Sequence, residues 1–447
     1  MQIARRAGVV LGSVSAAVAT MAAGLPARAA DVPPWQIAAT VHYGPSDYAS
    51  GYTAVVAPDK DDAWAFGGTN PGGTSAPTAE RWTGEHWEPW ALPSGLSGFI
   101  VAAAASSPSN VWAVGEGYAL RWDGTRWAVA KSWSQDGQAT SVAVLSPSNV
   151  WVFGSSSFSG VTGLGAWHFT GRTWVRATGI ASAIYRASAI TRHNIWGITV
   201  SPRGGSVVQY DGYSWARVPA ADAALAGTQL NDILAVSPDN IWVSGVSPVS
   251  GVDGHLVLAH WNGEHWKRFD SPWPVQQPER FATDGAHGVW IPAVTGGDIP
   301  ATWILHLSSA GVWTRTQIAV GWPQTGVGVG DLALIPGTTT LWGSGGMLTT
   351  AGGNAAIWEH AVPGIRLAVR DHRAGHGHGT GRNRLMRAGR GGVVRVSLTV
   401  GGHGVIRVYL TIRECRAGVR AARPAWLPPD RAHLSGPARA PRQGVLA

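Results

Sequence analysis

Cysteine is almost absent from this chain, since only Cys415 is present among 447 residues. A single cysteine excludes an intramolecular disulfide, and no lipid-anchoring cysteine follows the N-terminal segment. Charged residues are also scarce, at 13% of the chain, whereas glycine (60) and tryptophan (25) are abundant. This composition indicates many short strands joined by tight turns, with stability that comes from packing.

The excess of basic residues is confined to the two ends of the chain. Residues 31–368 contain 16 Lys or Arg against 23 Asp or Glu, whereas residues 369–447 contain 15 Arg against three acids. The body is therefore mildly acidic. This distribution argues against a nucleic-acid-binding protein, despite the net charge of +8.

The N-terminus has the layout of a secretory signal. Arg5 and Arg6 precede an apolar stretch of small residues at 7–25, and Ala27-Arg28-Ala29 fits a signal-peptidase site. We expect residues 1–29 to be a signal peptide and the protein to be secreted, extracellular or cell-wall associated, with no transmembrane segment after cleavage. An uncleaved membrane anchor is the alternative.

A repeat of about 46 residues fills the body of the chain. Each copy contains a Val-Trp or similar pair, and further aromatic residues follow it on either side of a turn such as Asp123-Gly124 or Asn262-Gly263, a strong hairpin signal. Each copy therefore predicts four antiparallel strands, the size of a propeller blade. The tryptophans that mark the seven copies are Trp64, Trp112, Trp151, Trp196, Trp242, Trp290 and Trp342.

The seventh copy lacks its last strand. After Trp358 the chain runs into residues 359–368 without another tryptophan, whereas Pro34-Trp35-Gln36 near the N-terminus supplies a suitable one. We therefore predict an all-β fold, a seven-bladed β-propeller at residues 31–368 whose N-terminal strand completes the last blade. We expect the repeated tryptophans to pack between blades rather than to bind a ligand.

The motifs S-P-(S/D)-N-(V/I)-W and W-(D/N)-G-x-x-W resemble those of kelch-type and galactose-oxidase-like propellers, and look most like secreted actinobacterial propellers. The resemblance covers residues 31–368 and implies the fold rather than an activity. The kelch double glycine occurs once in register, at Gly67-Gly68. A galactose-oxidase copper radical needs a cysteine linked to a tyrosine, and the body contains no cysteine, so that chemistry is excluded.

The loops between strands two and three and those between blades are long, and both sets emerge on one face of a propeller, which is where ligands usually bind. We call this the long-loop face. Tryptophans beside amides and charged groups there suit a glycan or a protein ligand. The opposing interpretation is that these tryptophans only cover the ends of the core. The candidate ligand-binding residues are Trp90, Trp133, Gln135, Asp136, Trp273, Glu279, Arg280 and Trp322.

Signals of catalysis are weak. Asp136 with Glu279 is the carboxylate pair that we would test first for glycoside chemistry. The histidines have no metal-ligand spacing, apart from a His-rich run at residues 372–378 that could catch a metal adventitiously. We predict no catalytic residue, no metal site and no cofactor.

Residues 369–447 form a tail rich in Arg, Gly, Ala and Pro, in which residues 393–400 and 405–412 alternate like a hairpin. The tail is either a largely disordered polycation that binds anionic cell-wall polymers or an out-of-frame continuation. We expect a monomeric extracytoplasmic binding or scaffold protein that engages glycan or protein through its long-loop face. A glycan-acting hydrolase or lyase and a purely structural cell-surface protein are the alternatives.

Overall fold

The computed structural model describes twelve stretches of the chain and divides it into two compact units, Met1–Arg366 and Leu367–Ala447. The signal segment lies outside the described residues. The second unit contains one described feature, an antiparallel pair of strands that matches the predicted hairpin. The described stretches are residues 35–42, 50–70, 73–133, 137–154, 163–199, 205–247, 254–295, 301–318, 324–349, 352–360, 393–399 and 405–411.

The first unit is a seven-bladed β-propeller. Its first strand, β1 (Trp35–His42), belongs to the last blade, and the other strands follow blade by blade as antiparallel meanders. Blades 1 to 3 contain β2 (Gly51–Asp59), β3 (Asp62–Thr69), β4 (Ala76–Trp82) and β5 (Trp87–Pro89); β6 (Ile100–Ser107), β7 (Asn110–Gly115), β8 (Tyr118–Trp122) and β9 (Trp127–Ser132); β10 (Ser141–Ser146), β11 (Asn149–Gly154), β12 (Gly165–Phe169) and β13 (Trp174–Ala177).

Blades 4 to 7 follow the same order, with a 3₁₀ turn at Gly179–Ala183 before blade 4 and a short helix α1 (Pro219–Ala224) after it. They contain β14 (Ile184–Thr191), β15 (Asn194–Thr199), β16 (Ser206–Tyr210) and β17 (Trp215–Arg217); β18 (Gln229–Ser237), β19 (Asn240–Ser247), β20 (Gly254–Trp261) and β21 (Trp266–Val275); β22 (Gln277–Pro278), β23 (Ala282–Thr283), β24 (Val289–Thr295), β25 (Ala301–Leu307) and β26 (Trp313–Gln317); β27 (Gln324–Leu334), β28 (Leu341–Thr349) and β29 (Gly352–His360). The tail strands are β30 (Val393–Thr399) and β31 (Val405–Thr411).

Strand β1 closes the ring as predicted. It pairs antiparallel with β29, with Trp35 opposite His360, so that the last sheet has the order β1-β29-β28-β27. The Trp35 side chain is only 3% exposed and meets Trp290 of blade 6 edge-to-face, with ring centroids 6.2 Å apart. The first strand of blade 1 also contacts those of blades 2 and 7, so the first strands form the inner wall of the ring.

The repeated tryptophans pack between blades, which confirms their predicted structural role. Trp64 of blade 1 meets Trp122 and Trp127 of blade 2 at centroid distances of 5.0 and 5.1 Å, and Trp342 of blade 7 meets Trp82 of blade 1 at 5.0 Å. Each of these contacts joins the second strand of one blade to an outer strand of the next. Edge-to-face and tilted indoles of this kind fill the wedge between twisted sheets.

The asparagine of the S-P-(S/D)-N-(V/I)-W motif fixes the tryptophan two residues later. The Oδ1 atom of Asn240, which is 4% exposed, accepts hydrogen bonds from Trp242 Nε1 at 2.7 Å and from His260 Nε2 at 2.9 Å. The His260 ring in turn stacks on Trp242 at 4.0 Å. Asn110 binds Trp112 Nε1 in the same way, at 3.1 Å, so in these two blades the motif satisfies the buried indole nitrogen.

Candidate functional site

One position of the repeat lies on the inner wall near the start of each first strand. This position falls ten residues before the repeat tryptophan, or eleven residues before it in blade 7. In every blade except the sixth, it pairs with the residue that lies two positions after that tryptophan. Three blades place a small residue there and four blades place a charged one. The small residues are Ala54, Ala102 and Ser141, and the charged ones are Arg186, Asp232, Arg280 and Asp331.

A β-bulge precedes this position in most blades. The pairing register shifts between Leu230 and Asp232 in β18 and between Val329 and Asp331 in β27. In blade 6 the irregularity is larger, because the first strand is divided into β22 and β23 around residues 279–281. A bulge releases backbone groups from the ladder of its own sheet. Those groups can then bond to the neighbouring blade.

The carboxylates use these released amides to link adjacent blades. Asp331 of blade 7 accepts a hydrogen bond from the amide of Val55 in blade 1, at 3.1 Å, and a second from its neighbour Leu332 at 2.9 Å. Ser141 Oγ of blade 3 accepts one from the Ala187 amide of blade 4 in the same way, at 3.1 Å. Part of the charge on the inner wall therefore has a structural role.

Arg280 crosses the channel that the seven blades enclose. Its Nη2 donates to the carbonyls of Val101 in blade 2, at 2.5 Å, and of Thr140 in blade 3, at 3.3 Å. Its Nη1 lies 3.7 Å from Asp331 Oδ2 of blade 7. Arg186 of blade 4 reaches the same Thr140 carbonyl through Nη1. The two guanidinium groups therefore meet on the small-residue side of the ring.

Glu279 adds a third carboxyl group to this assembly. Its backbone is fixed, because its amide donates to the Pro292 carbonyl at 2.8 Å and its carbonyl accepts from Asn231 Nδ2 at 3.5 Å. The described residues make no hydrogen bond to its carboxyl oxygens. The side chain thus remains available to a ligand or to a proton. We call Arg186, Asp232, Glu279, Arg280 and Asp331 the channel cluster.

Burial dominates the electrostatics of the channel cluster. Desolvation raises the pKa of Glu279 to about 7 and that of Asp331 to about 6, although the nearby guanidinium groups oppose both shifts. Desolvation likewise raises the pKa of Asp232. The pKa of Arg186 is lowered, first by burial and then by the charge of Arg280. Strongly perturbed groups that converge from several blades are typical of functional sites.

The structure places Glu279 and Arg280 differently from the sequence interpretation. The sequence predicts both residues among the loops of the long-loop face. They lie instead in the divided first strand of blade 6, on the inner wall. The divided strand reads as a loop in sequence, and only its pairing with β24 shows that it continues the sheet.

Three of the predicted tryptophans are partly buried against the core. Trp90 packs edge-to-face on Trp64 at 5.7 Å, and Trp133 packs in the same way on Trp174 at 5.5 Å. Trp273 covers the cluster between blades 5 and 6. These contacts agree with the interpretation in which the tryptophans cover the ends of the core, and their binding role remains a prediction. Gln135, Asp136 and Trp322 lie outside the described residues.

Sequence reasoning missed Arg186, Asp232 and Asp331. They occupy strands and match no local catalytic motif. A usable signal was present, because aligning the seven copies on the repeat tryptophan produces one column that is small in blades 1 to 3 and charged in blades 4 to 7.

The described residues contain no group of three or more His, Cys, Asp or Glu side chains suited to a metal ion. Within the same residues, no helix combines the length and hydrophobicity that a membrane crossing would need.

Comparisons with known proteins find a likeness in structure but none in sequence. No family model matches the chain, and no curated protein matches it in sequence. Among solved structures, YCF48 bound to D1 peptide is 15% identical and covers 75% of this chain and 99% of its own, with a TM-score of 0.48.

Two further solved structures are similar over shorter parts of their own chains. The GH74 xyloglucanase from Xanthomonas campestris is 15% identical over 75% of this chain and 54% of its own, with a TM-score of 0.49. The extracellular domain of a one-component system from B. thetaiotaomicron is 10% identical over 68% and 41%, with a TM-score of 0.45. Likeness at this level carries no argument about a ligand or an activity.

Proposed function

We propose that this protein is an extracytoplasmic binding propeller that holds a glycan or protein ligand at the start of its inner strands, on the long-loop side of the channel. The channel cluster is the observation that supports this most directly. Five charged side chains from four blades converge there, and the carboxyl oxygens of Glu279 have no hydrogen bond from the described residues. Glu279 is only half-buried, so a ligand can reach these oxygens.

The position of the cluster agrees with the expected binding face. The first strand of a four-stranded meander begins at the end of the blade where the loop between strands two and three emerges. Arg186 is the third residue of β14 and Asp232 the fourth residue of β18, so both lie toward that end. Rigid strands hold their side chains more accurately than loops do.

A glycan array together with a panel of candidate protein ligands, applied to the full chain, tests this proposal. At pH 6.5, where the carboxyl group is mostly protonated, Glu279→Ala should weaken specific binding by about tenfold or more, because a hydrogen-bonding group is lost while no internal hydrogen bond is broken. The matched control is Arg315→Gln, which removes a charge outside the channel cluster, between blades 5 and 6.

Two results would contradict the proposal. One is the absence of specific binding from both screens. The other is binding that survives Glu279→Ala unchanged but disappears in Trp273→Ala or Trp133→Ala, since the ligand would then lie on the tryptophans rather than in the channel.

Glycan hydrolysis or lysis is the second candidate, favoured by one observation. A general acid or base works best with a pKa near the working pH, and burial places the pKa of Glu279 at about 7. Release of reducing ends from a polysaccharide panel, abolished by Glu279→Gln, would establish an enzyme. Binding without release would leave the protein as a binding module.

We further propose that the protein is exported and that its propeller is related to the kelch-type and galactose-oxidase-like propellers. The signal layout at residues 1–29 supports export, and N-terminal sequencing of the mature protein should begin at Ala30. Kelch-type and galactose-oxidase-like kinship is supported by the two repeat motifs. The Arg-rich tail supports retention on anionic wall polymers, which salt should reverse and which truncation at Leu367 should remove.

A further inference from the structure

Arg186 is a cation without a partner anion. No carboxylate oxygen of the described residues lies within 4.0 Å of its guanidinium, and its Nε has no accessible surface and no hydrogen-bond partner. Its Nη1 donates to a backbone carbonyl, which carries no charge. A desolvated charge is normally paired, because an unpaired one costs several kcal/mol. The guanidinium therefore lacks a direct ionic contact, although the carboxyl groups of Asp232, Glu279 and Asp331 act on its charge from farther away.

A second guanidinium group lies beside Arg186, and its own carboxylate partner is already engaged. Arg280 brings a second positive charge close enough to lower the pKa of Arg186, while the one carboxylate within ion-pair distance of Arg280 is Asp331, at 3.7 Å, among the described residues. Asp331 is itself occupied by the amides of Val55 and Leu332. A planar carboxylate matches the fork of a guanidinium group and suits this position better than a spherical ion.

We propose that the channel cluster binds a sugar that bears a carboxylate, a uronate, and that Arg186 holds the carboxylate. This inference rests on the proposed function and names its ligand class. A uronate fits better than a peptide terminus because a hydroxyl group on the same ring can meet the carboxyl group of Glu279, which has no hydrogen bond from the described residues. Arg280 spans the channel at this level, so the group that enters must be small.

The dependence on pH follows from all the charged groups that face Glu279. These are Arg186 on β14, Asp232 on β18, Asp331 on β27 and Arg280 beside it, whereas blades 1 to 3 present only Ala54, Ala102 and Ser141 at this position. With every group ionised the cluster has one more negative than positive charge. Protonation of Glu279 near pH 7 removes that excess, and protonation of Asp331 near pH 6 makes the cluster positive.

The test is calorimetric titration of the full chain with digalacturonate and with its methyl ester, which removes the negative charge and adds one methyl group to each carboxylate. The free acid is ionised at both pH 6.5 and pH 8.5. We expect the acid to bind on the order of tenfold more tightly at pH 6.5 than at pH 8.5, and the ester to bind weakly at both.

Two variants separate the contributions of Glu279 and Arg186 to binding of the acid. Glu279→Gln fixes the neutral form, so its affinity at pH 8.5 should rise to the wild-type value at pH 6.5, a gain that misfolding cannot produce. Arg186→Gln should abolish binding of the acid while leaving the ester unaffected, and Arg315→Gln should behave as the wild type.

Equal binding of acid and ester would overturn the inference, as would a pH dependence in Glu279→Gln as large as that of the wild type, since only the smaller contribution of Asp331 should remain. Tighter binding of a peptide with a free C-terminal carboxylate than of digalacturonate would overturn the choice of a sugar. If other glycans bind through the channel but uronates do not, this inference fails while the proposed function stands. If nothing binds, both fail.

Discussion

Substitution of Asp331 by Asn should change how the stability of the propeller depends on pH. Burial raises the folded-state pKa of Asp331 to about 6, from an ordinary value of about 4. Between these values the folded protein binds a proton that the unfolded chain does not. The contribution of Asp331 is therefore most favourable at and below about pH 4, and it is lost as the pH rises through about 6. A shift of two units corresponds to about 3 kcal/mol.

Asparagine cannot ionise, so the stability of the variant does not fall as the pH rises through about 6 in the way that ionisation of Asp331 causes. Urea unfolding followed by tryptophan fluorescence, at pH 4 to 8, measures the free energy of unfolding of both proteins. We expect the wild type to lose about 3 kcal/mol relative to Asp331→Asn across this range. Asp123→Asn is the control, because the pKa of Asp123 is about 2 and its charge stays constant above pH 4.

The comparison between proteins is essential because the buried histidines act in the opposite direction. Desolvation lowers the pKa of His260 and His360 to about 4, so their contributions are lost as the pH falls from about 6.5. These groups are common to both proteins and cancel in the difference. A difference that stays constant from pH 4 to 8 would show that Asp331 is not desolvated as described.

Three further predictions concern the scaffold. Trp242→Ala, at a side chain 2% exposed, should cost about 3–5 kcal/mol in urea unfolding, and an unchanged midpoint would refute its role between blades. His260→Gln should gain stability relative to the wild type between pH 6.5 and 4, since glutamine keeps a donor for Asn240, as Gln209 does in blade 4, but takes up no proton. Deletion of residues 31–42 should expose the edge of β29 and yield oligomers on size-exclusion chromatography, whereas a stable monomer would contradict closure by β1.

The fold could be predicted from sequence because the blades share short-range sequence signals. A tryptophan in one register, an asparagine two residues before it in four blades and a Gly-containing hairpin after it in most blades are short-range signals with a direct structural cause. Closure followed from the missing strand of the seventh copy and from Trp35. The pairing of β1 with β29 confirms both.

The candidate site was harder to predict from sequence because it is formed by residues that lie far apart in the chain. Arg186 and Asp331 are 145 positions apart in sequence, and neither belongs to a recognisable motif. Glu279 and Arg280 were selected for their polarity, but their placement on the inner wall depends on a divided strand that resembles a loop. The partial burial of Trp90 likewise depends on Trp64 and Trp122, which surround it from two blades.

Hydrogen–deuterium exchange, with and without the tightest-binding glycan from the array, tests most directly whether the ligand lies in the channel. Binding at the channel cluster should slow exchange in the segments around residues 184–187, 229–233, 279–282 and 329–332, which contain the irregular starts of four inner strands. Protection confined to the outer strands, or to the hairpins that join strands three and four, would contradict a channel site.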